Sequence, residues 1–138
     1  MYDAVVVGAG PAGAAAAKAL CEAGRRVLLV ERFRLPRYKS CSGILIKKSL
    51  GLVKQYFGEE VPSAVCCAPV ANRGMIFTDD KGGEYAFRQE GRNGWRGAFD
   101  GWLVAKAAES GAELLDGTAA IHGSSLSALQ GCKLDLLT

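Results

Sequence analysis

The sequence predicts an α/β fold, a parallel sheet with packed helices, and three observations in its first 31 residues predict it. Ala4 to Val7 is a short, β-branched run that ends in glycine, as a parallel strand covered on both faces does. Gly8, Gly10 and Gly13 then stand at G-x-G-x-x-G spacing and open an alanine-rich helical stretch. Val27 to Val30 is a second buried apolar run, and it ends on the carboxylate of Glu31. The glycine turn thus follows one strand and opens one helix, the context in which that spacing acquires a physical meaning.

Each position in the turn has a task. Gly8 permits the tight turn, Gly10 lets the backbone approach a pyrophosphate with no Cβ in the way, and Gly13 lets the helix pack close to the strand. Pro11 suits the first helical turn, where its missing N–H loses nothing, and Ala12 follows it with no bulk. The unpaired amides and the positive dipole end of the helix then face the phosphates. Ala14 to Ala17, Ala19 and Ala23 keep the helix slim, Lys18 and Glu22 are its solvent positions, and Gly24 stops it. Glu31, at the end of the second strand, is placed to accept ribose hydroxyls and to repel a 2′-phosphate, so the expected ligand is the adenosine half of an unphosphorylated dinucleotide.

The chain has 138 residues, 49% of them hydrophobic, enough for one domain with a real core. Seventeen basic against 14 acidic residues give +3 without any run of like charge, which gives nucleic-acid binding no support. Five cysteines without a C-x-x-C pair, and no signal peptide, point to the cytoplasm and away from a disulfide framework or a zinc site. Residues 32–43 read as a basic loop. Ile44 to Phe57 carries a roughly helical apolar stripe, closed by Gly58 and Pro62. Gly74 to Thr78 and Glu84 to Gln89 flank Asp79-Asp80-Lys81-Gly82-Gly83 as a β-hairpin, with Met75, Phe77, Tyr85 and Phe87 able to share a face. Phe99 to Ser110 reads as a helix and Glu113 to Ala120 as a strand. Lys133 to Thr138 ends the chain in a strand-like apolar run that needs a partner to cover it. Cys66 and Cys67 read as structural, His122 as outside any acid–base constellation, and Trp95 and Trp102 as core.

Taken together, the turn, Ala17, Gly24 and Glu31 resemble the longer flavin-binding fingerprint of FAD-dependent oxidoreductases of the aromatic-hydroxylase superfamily. Within it, Tyr38-Lys39-Ser40-Cys41-Ser42-Gly43 is similar to the cysteine–glycine loop of the geranylgeranyl reductase family, and Arg96 to Leu103 is similar to its R-x-x-F-D-x-x-L segment. The resemblance covers about residues 1–120. It implies a Rossmann-like βαβ domain with FAD as cofactor, bound by Gly8, Gly10, Pro11, Ala12, Gly13, Glu31, Arg32, Cys41 and Arg96, with Cys41 the candidate beside the isoalloxazine. The implied reaction is reduction of isoprenoid carbon–carbon double bonds, with an external electron donor such as NAD(P)H or ferredoxin. Peripheral membrane association and homo-oligomerisation complete the expected partners. A monooxygenase or halogenase of the same superfamily, or a non-catalytic dinucleotide-binding fragment, are the alternative readings. Members of the family are substantially longer and carry a second glycine–aspartate flavin motif and most of the substrate pocket beyond this point. Residues 1–138 are therefore expected to be a truncated FAD-binding domain, inactive alone, with 70–92 a β-hairpin insertion from an incomplete substrate domain.

Overall fold

The computed structural model describes residues 1–121. In chain order the elements are β1 (Ala4–Val7), α1 (Pro11–Glu22), β2 (Val27–Glu31), β3 (Ile44–Ile46), α2 (Lys47–Phe57), β4 (Cys66–Thr78), β5 (Glu84–Gly94), α3 (Arg96–Glu109) and β6 (Glu113–Asp116), with a short 3-10 turn at Ser63–Val65. The described residues form two units, one of residues 1–37 with 103–121, the other of residues 38–102. His122, the serine- and glycine-containing stretch from Gly123 and the apolar run Lys133 to Thr138 lie outside the described residues.

The first unit is a parallel sheet in the order β1-β2-β6, the order expected when strands are joined by helical crossovers. Ala4 to Val7 pair with Val27 to Val30, and Leu28 to Glu31 pair with Glu113 to Asp116. The central strand β2 is buried from Val27 to Glu31. β1 departs from the two-sided cover expected of it: its exposure alternates, with Val5 at 43% and Val7 at 65%. Among the described residues it pairs only with β2, so it is an edge strand with one face packed and one open. α1 turns Ala14 and Ala17 inward, and the methyl-sized side chains bring the helix near the sheet. Leu103, Val104 and Ala107 of α3 are buried in this unit's core, where Leu29 and Leu103 are the largest fully buried side chains. Each such leucine contributes about 1.5–3 kcal/mol by removal from water. β6 stops at Asp116, short of the expected Ala120, because the chain turns through Gly117 and the Thr118 amide donates to the Glu31 carbonyl at 3.0 Å.

In the second unit the hairpin is longer than its sequence signal, with antiparallel β4 and β5 joined at Asp79 to Gly83 and β3 added on the far side of β5. Met75 stands opposite Phe87 and Phe77 opposite Tyr85, as the alternation predicts. Phe77 and Phe87 meet edge to face at 5.4 Å, yet both remain more than half exposed. Asp79 stabilises the turn by accepting the Lys81 and Gly83 amides. Ile44 to Ile46, read as the start of a helix, form a strand instead. Their backbone pairs with Gly91 to Asn93, a tertiary partner that overrides the helical spacing, and α2 begins at Lys47. α2 buries Val53 and Phe57 and ends at the left-handed Gly58. α3 begins at Arg96, earlier than the Phe99 read from the sequence. Among the described residues no helix is long and apolar enough to cross a membrane.

Candidate functional site

The glycine turn is closed around its own backbone. Gly8 has φ +97, a left-handed value that a side chain would strain, and its amide donates to the Val30 carbonyl at 2.7 Å, which ties the turn to the second strand. A Cβ on Gly13 would overlap the Gly8 carbonyl oxygen, so the third glycine is required by the turn itself. Gly10 differs. It caps α1 in extended conformation, and a Cβ there would meet only the Arg37 Nη2, at 3.7 Å. The space in front of Gly10 is therefore walled by one side chain and otherwise open, a cradle that a larger residue would fill. Pro11 occupies the first helical position, and neither an acidic side chain nor a side-chain cap competes for the first-turn amides.

Glu31 is 5% exposed and works in three directions. Oε2 accepts the Ala9 amide at 3.0 Å and faces Arg37 Nε at 3.2 Å, while Oε1 accepts the Phe33 amide at 3.2 Å. Burial opposes its charge, but the Phe33 and Ala9 amides and the Arg37 guanidinium outweigh it and hold the carboxyl below its usual range. The acid is thus ionised at neutral pH and fixed against the turn. The loop that follows it is anchored by Leu35, whose amide donates to Asp116 Oδ2 at 2.8 Å. Arg32, placed with the cofactor by resemblance, is exposed and lies over the Phe33 ring at 4.6 Å. Arg37 takes the position beside the turn, and sequence reasoning missed it. Its signal was only that of a third arginine in a basic loop, with nothing local to set it apart from Arg32 or Arg34.

In the second unit a cavity of about 370 Å³ is lined by Tyr38, Lys39, Cys41, Cys67, Trp95 and Arg96 among others. Gly43 and Gly94 bring its walls together: the Gly94 amide donates to the Gly43 carbonyl at 2.8 Å, and a Cβ on Gly43 would meet the Gly94 oxygen at 2.6 Å. Cys41 is exposed here, and its thiol is held below the ordinary value by the Gly43 amide first and then by the Arg96 guanidinium. Arg96 is itself oriented by a two-point ion pair with Asp100, Nε to Oδ1 at 2.9 Å and Nη2 to Oδ2 at 3.1 Å, and Asp100 is fully buried. The Phe99-Asp100 register thus does two things, with Phe99 entering the core and Asp100 fixing Arg96 beside the thiol. Trp95, read as a core residue, is 70% exposed on the cavity wall.

A family model described as an FAD binding domain matches residues 1–58. Digeranylgeranylglycerophospholipid reductase 2 of Methanopyrus kandleri is 38% identical over 114 residues, a match covering 82% of this chain and 27% of that protein. A solved structure of a geranylgeranyl bacteriochlorophyll reductase-like protein from Thermoplasma acidophilum superposes with TM-score 0.68 at 24% identity, over 84% of this chain and 30% of that one. A flavin-dependent brominase does so with TM-score 0.69 at 23% identity, over 83% and 29%. At these identities the two structures speak for the fold alone, a Rossmann-like FAD-binding unit. The chain spans between 27% and 29% of the length of the first three curated relatives it matches. With the glycine cradle and the ionised Glu31 it carries, the chain belongs to the FAD-binding oxidoreductase family that includes the digeranylgeranylglycerophospholipid reductases, and FAD is the cofactor of that family.

Proposed function

We propose that the chain is the FAD-binding part of a reductase of isoprenoid carbon–carbon double bonds. In this reading the ADP half of FAD lies on Gly8 to Gly13 with its ribose hydroxyls on Glu31, and the cavity around Cys41 and Arg96 serves the reacting end of the cofactor and its substrate. The hairpin within 70–92 belongs to a substrate domain, and its exposed Phe77, Tyr85 and Phe87 suit contact with a hydrophobic substrate or with further polypeptide. The chemistry that bound FAD supplies is transfer of a hydride to one carbon of an isoprenoid double bond, with a proton completing the saturation and an external donor such as NAD(P)H or a ferredoxin restoring the reduced state. The chain's own residues bind, orient and polarise. The α1 N-terminus meets the phosphates, Glu31 the ribose, and the Arg96–Asp100 pair keeps a cation beside Cys41.

The observation that supports this reading most is the cavity in which an exposed cysteine stands between an amide and an oriented arginine, on a chain 38% identical to a protein named for reducing a digeranylgeranyl lipid. The test uses Cys41 and Trp95 as reporters. With FAD present, a geranylgeranyl glyceryl lipid is expected to slow alkylation of Cys41 and to shift the Trp95 emission to the blue. Protection by a small polar aromatic compound but not by the lipid would contradict the reading and favour a halogenase or monooxygenase.

A further inference from the structure

We propose that the second unit holds a site for a phosphate monoester, free or as a lipid headgroup, in a cavity beside α2 whose residues the proposed function does not use. The inference goes beyond that reading and does not depend on it. The cavity, of about 230 Å³, is lined by Lys47, Gly51, Lys54, Glu60, Val61 and Arg92 among others. Lys47, Gly51 and Lys54 stand at i, i+4 and i+7 of α2, so one helical face supplies all three. That helix carries three lysines and no acidic residue. Arg92 comes from β5, the central strand of its sheet, and donates through Nη1 to the carbonyl of the buried Val61, which fixes the guanidinium at the cavity wall.

Charge and space both fit such a ligand. Three cations against one carboxylate, Glu60, leave the lining with two positive charges in excess, the complement of a phosphate monoester dianion. The ion pairs already present are loose: Lys54 Nζ stands 3.4 Å from Glu60 Oε1, Arg92 Nη2 3.8 Å from Glu60 Oε2, and Lys47 Nζ 3.7 Å from Glu90 Oε2, with both glutamates mostly exposed. Pairs of this kind contribute little, so a phosphate can exchange them for charge-assisted bonds. Gly51 supplies the space. A glycine inside a helix is less stable than alanine, yet Gly51 has no positive φ to require it, and a Cβ there would touch nothing within 4 Å. Neither backbone nor packing calls for it, and what its missing side chain leaves open is the cavity.

The experiment is an NMR titration of the full chain above neutral pH, reading the Arg92 Nε–H and the Lys47, Gly51 and Lys54 amides, while the Gly8 and Gly10 amides report the glycine turn separately. The probes are inorganic phosphate, glycerol phosphate and acetate at equal ionic strength, and phosphatidylcholine vesicles with and without phosphatidic acid. A saturable response to the phosphate-bearing probes and none to acetate is expected. A response to the soluble phosphates assigns a free ester, and one confined to the vesicles with phosphatidic acid assigns a lipid headgroup. Arg92→Met and Lys54→Gln should each weaken binding about 10-fold, the range of one charge-assisted hydrogen bond. Glu60→Gln should strengthen it several-fold, and Lys48→Gln, on the same helix but outside the lining, should change nothing. Gly51→Leu should abolish binding in a chain that melts no lower than the unchanged one. If Arg92→Met does not fold, Lys54→Gln and Gly51→Leu decide. Silence of the four signals toward every phosphate-bearing probe overturns the inference. So does a response that a folded Gly51→Leu chain keeps, or that Lys48→Gln lowers as much as Lys54→Gln does, since either marks diffuse surface charge in place of a site.

Discussion

The glycine cradle of the first unit and the cysteine cavity of the second are built in opposite ways. In the cradle the charged group is satisfied within the same unit: the Glu31 carboxylate takes two amides and a guanidinium, and the turn packs against its own carbonyl. The cavity instead keeps an exposed thiol and an exposed indole around one oriented arginine, and the hairpin beside it in sequence presents aromatic faces to solvent. Local sequence is enough to build the turn and its Glu31 support, because two strands and the helix between them close on one another within 31 residues. The second leaves its thiol, its indole and the hairpin aromatics open to solvent.

The largest difference should appear when the same methyl group is added in both regions. Gly13→Ala is expected to unfold or severely destabilise the first unit, by about 3 kcal/mol or more, because the new Cβ overlaps the Gly8 carbonyl and neither backbone can yield. Gly51→Ala, in the middle of α2 with open space around it, should be stabilising by about 0.5–1 kcal/mol. Urea unfolding of both variants checks the pair. Equal effects would mean that the cradle is no tighter than a surface helix.

A second contrast is between apolar side chains. Leu103→Ala removes a fully buried leucine of the first unit and is expected to cost about 2–5 kcal/mol, whereas Phe87→Ala, at the half-exposed hairpin, should stay near 0.5 kcal/mol. Denaturant midpoints measured on one preparation series decide it, and a large loss from Phe87→Ala would show that the hairpin face is covered.

How far sequence carried these assignments follows the same division. The spacing of Gly8, Gly10 and Gly13 and the strand-end Glu31 were readable because their partners lie in consecutive elements. Arg37 was not, since its selection from three loop arginines depends on the loop path, and that path is fixed by Asp116, 81 residues beyond Leu35. Ile44 and Leu45 were misassigned for a related reason: their strand exists only because β5 offers an edge. The exposure of Trp95 was equally hidden, because an indole has the same composition signal on a cavity wall as in a core. The hairpin could be read early because alternation and a turn rich in aspartate and glycine are local signals.

The titrations give smaller, directional effects. Cys41 should react with iodoacetamide ahead of Cys21, whose thiol is pushed up by burial and by Glu22, and its rate should rise with pH from a midpoint below that of an ordinary thiol. Peptide mapping after brief labelling tests the order, and modification of Cys21 first would contradict the cavity's electrostatics. Glu31 is held below its ordinary value, so its contribution to stability is complete above the unfolded carboxylate range and is lost as pH falls through the lower folded value. Glu31→Gln should remove that acid dependence from the unfolding of the first unit, and a curve of unchanged shape would count against the buried pair.

The central claim, that the turn in front of Gly10 receives the pyrophosphate of FAD, is tested most directly by Gly10→Ala. Gly10 has an ordinary φ of −84, and the new methyl would meet only the Arg37 guanidinium at normal contact distance, so the fold should change by less than about 1 kcal/mol. The methyl would nevertheless fill the space where a pyrophosphate approaches the backbone. The account predicts that Gly10→Ala melts like the unchanged chain and binds FAD and ADP at least about 10-fold more weakly in calorimetric titration, a loss of roughly 1.4 kcal/mol or more. A folded Gly10→Ala chain with undiminished affinity for both would contradict it.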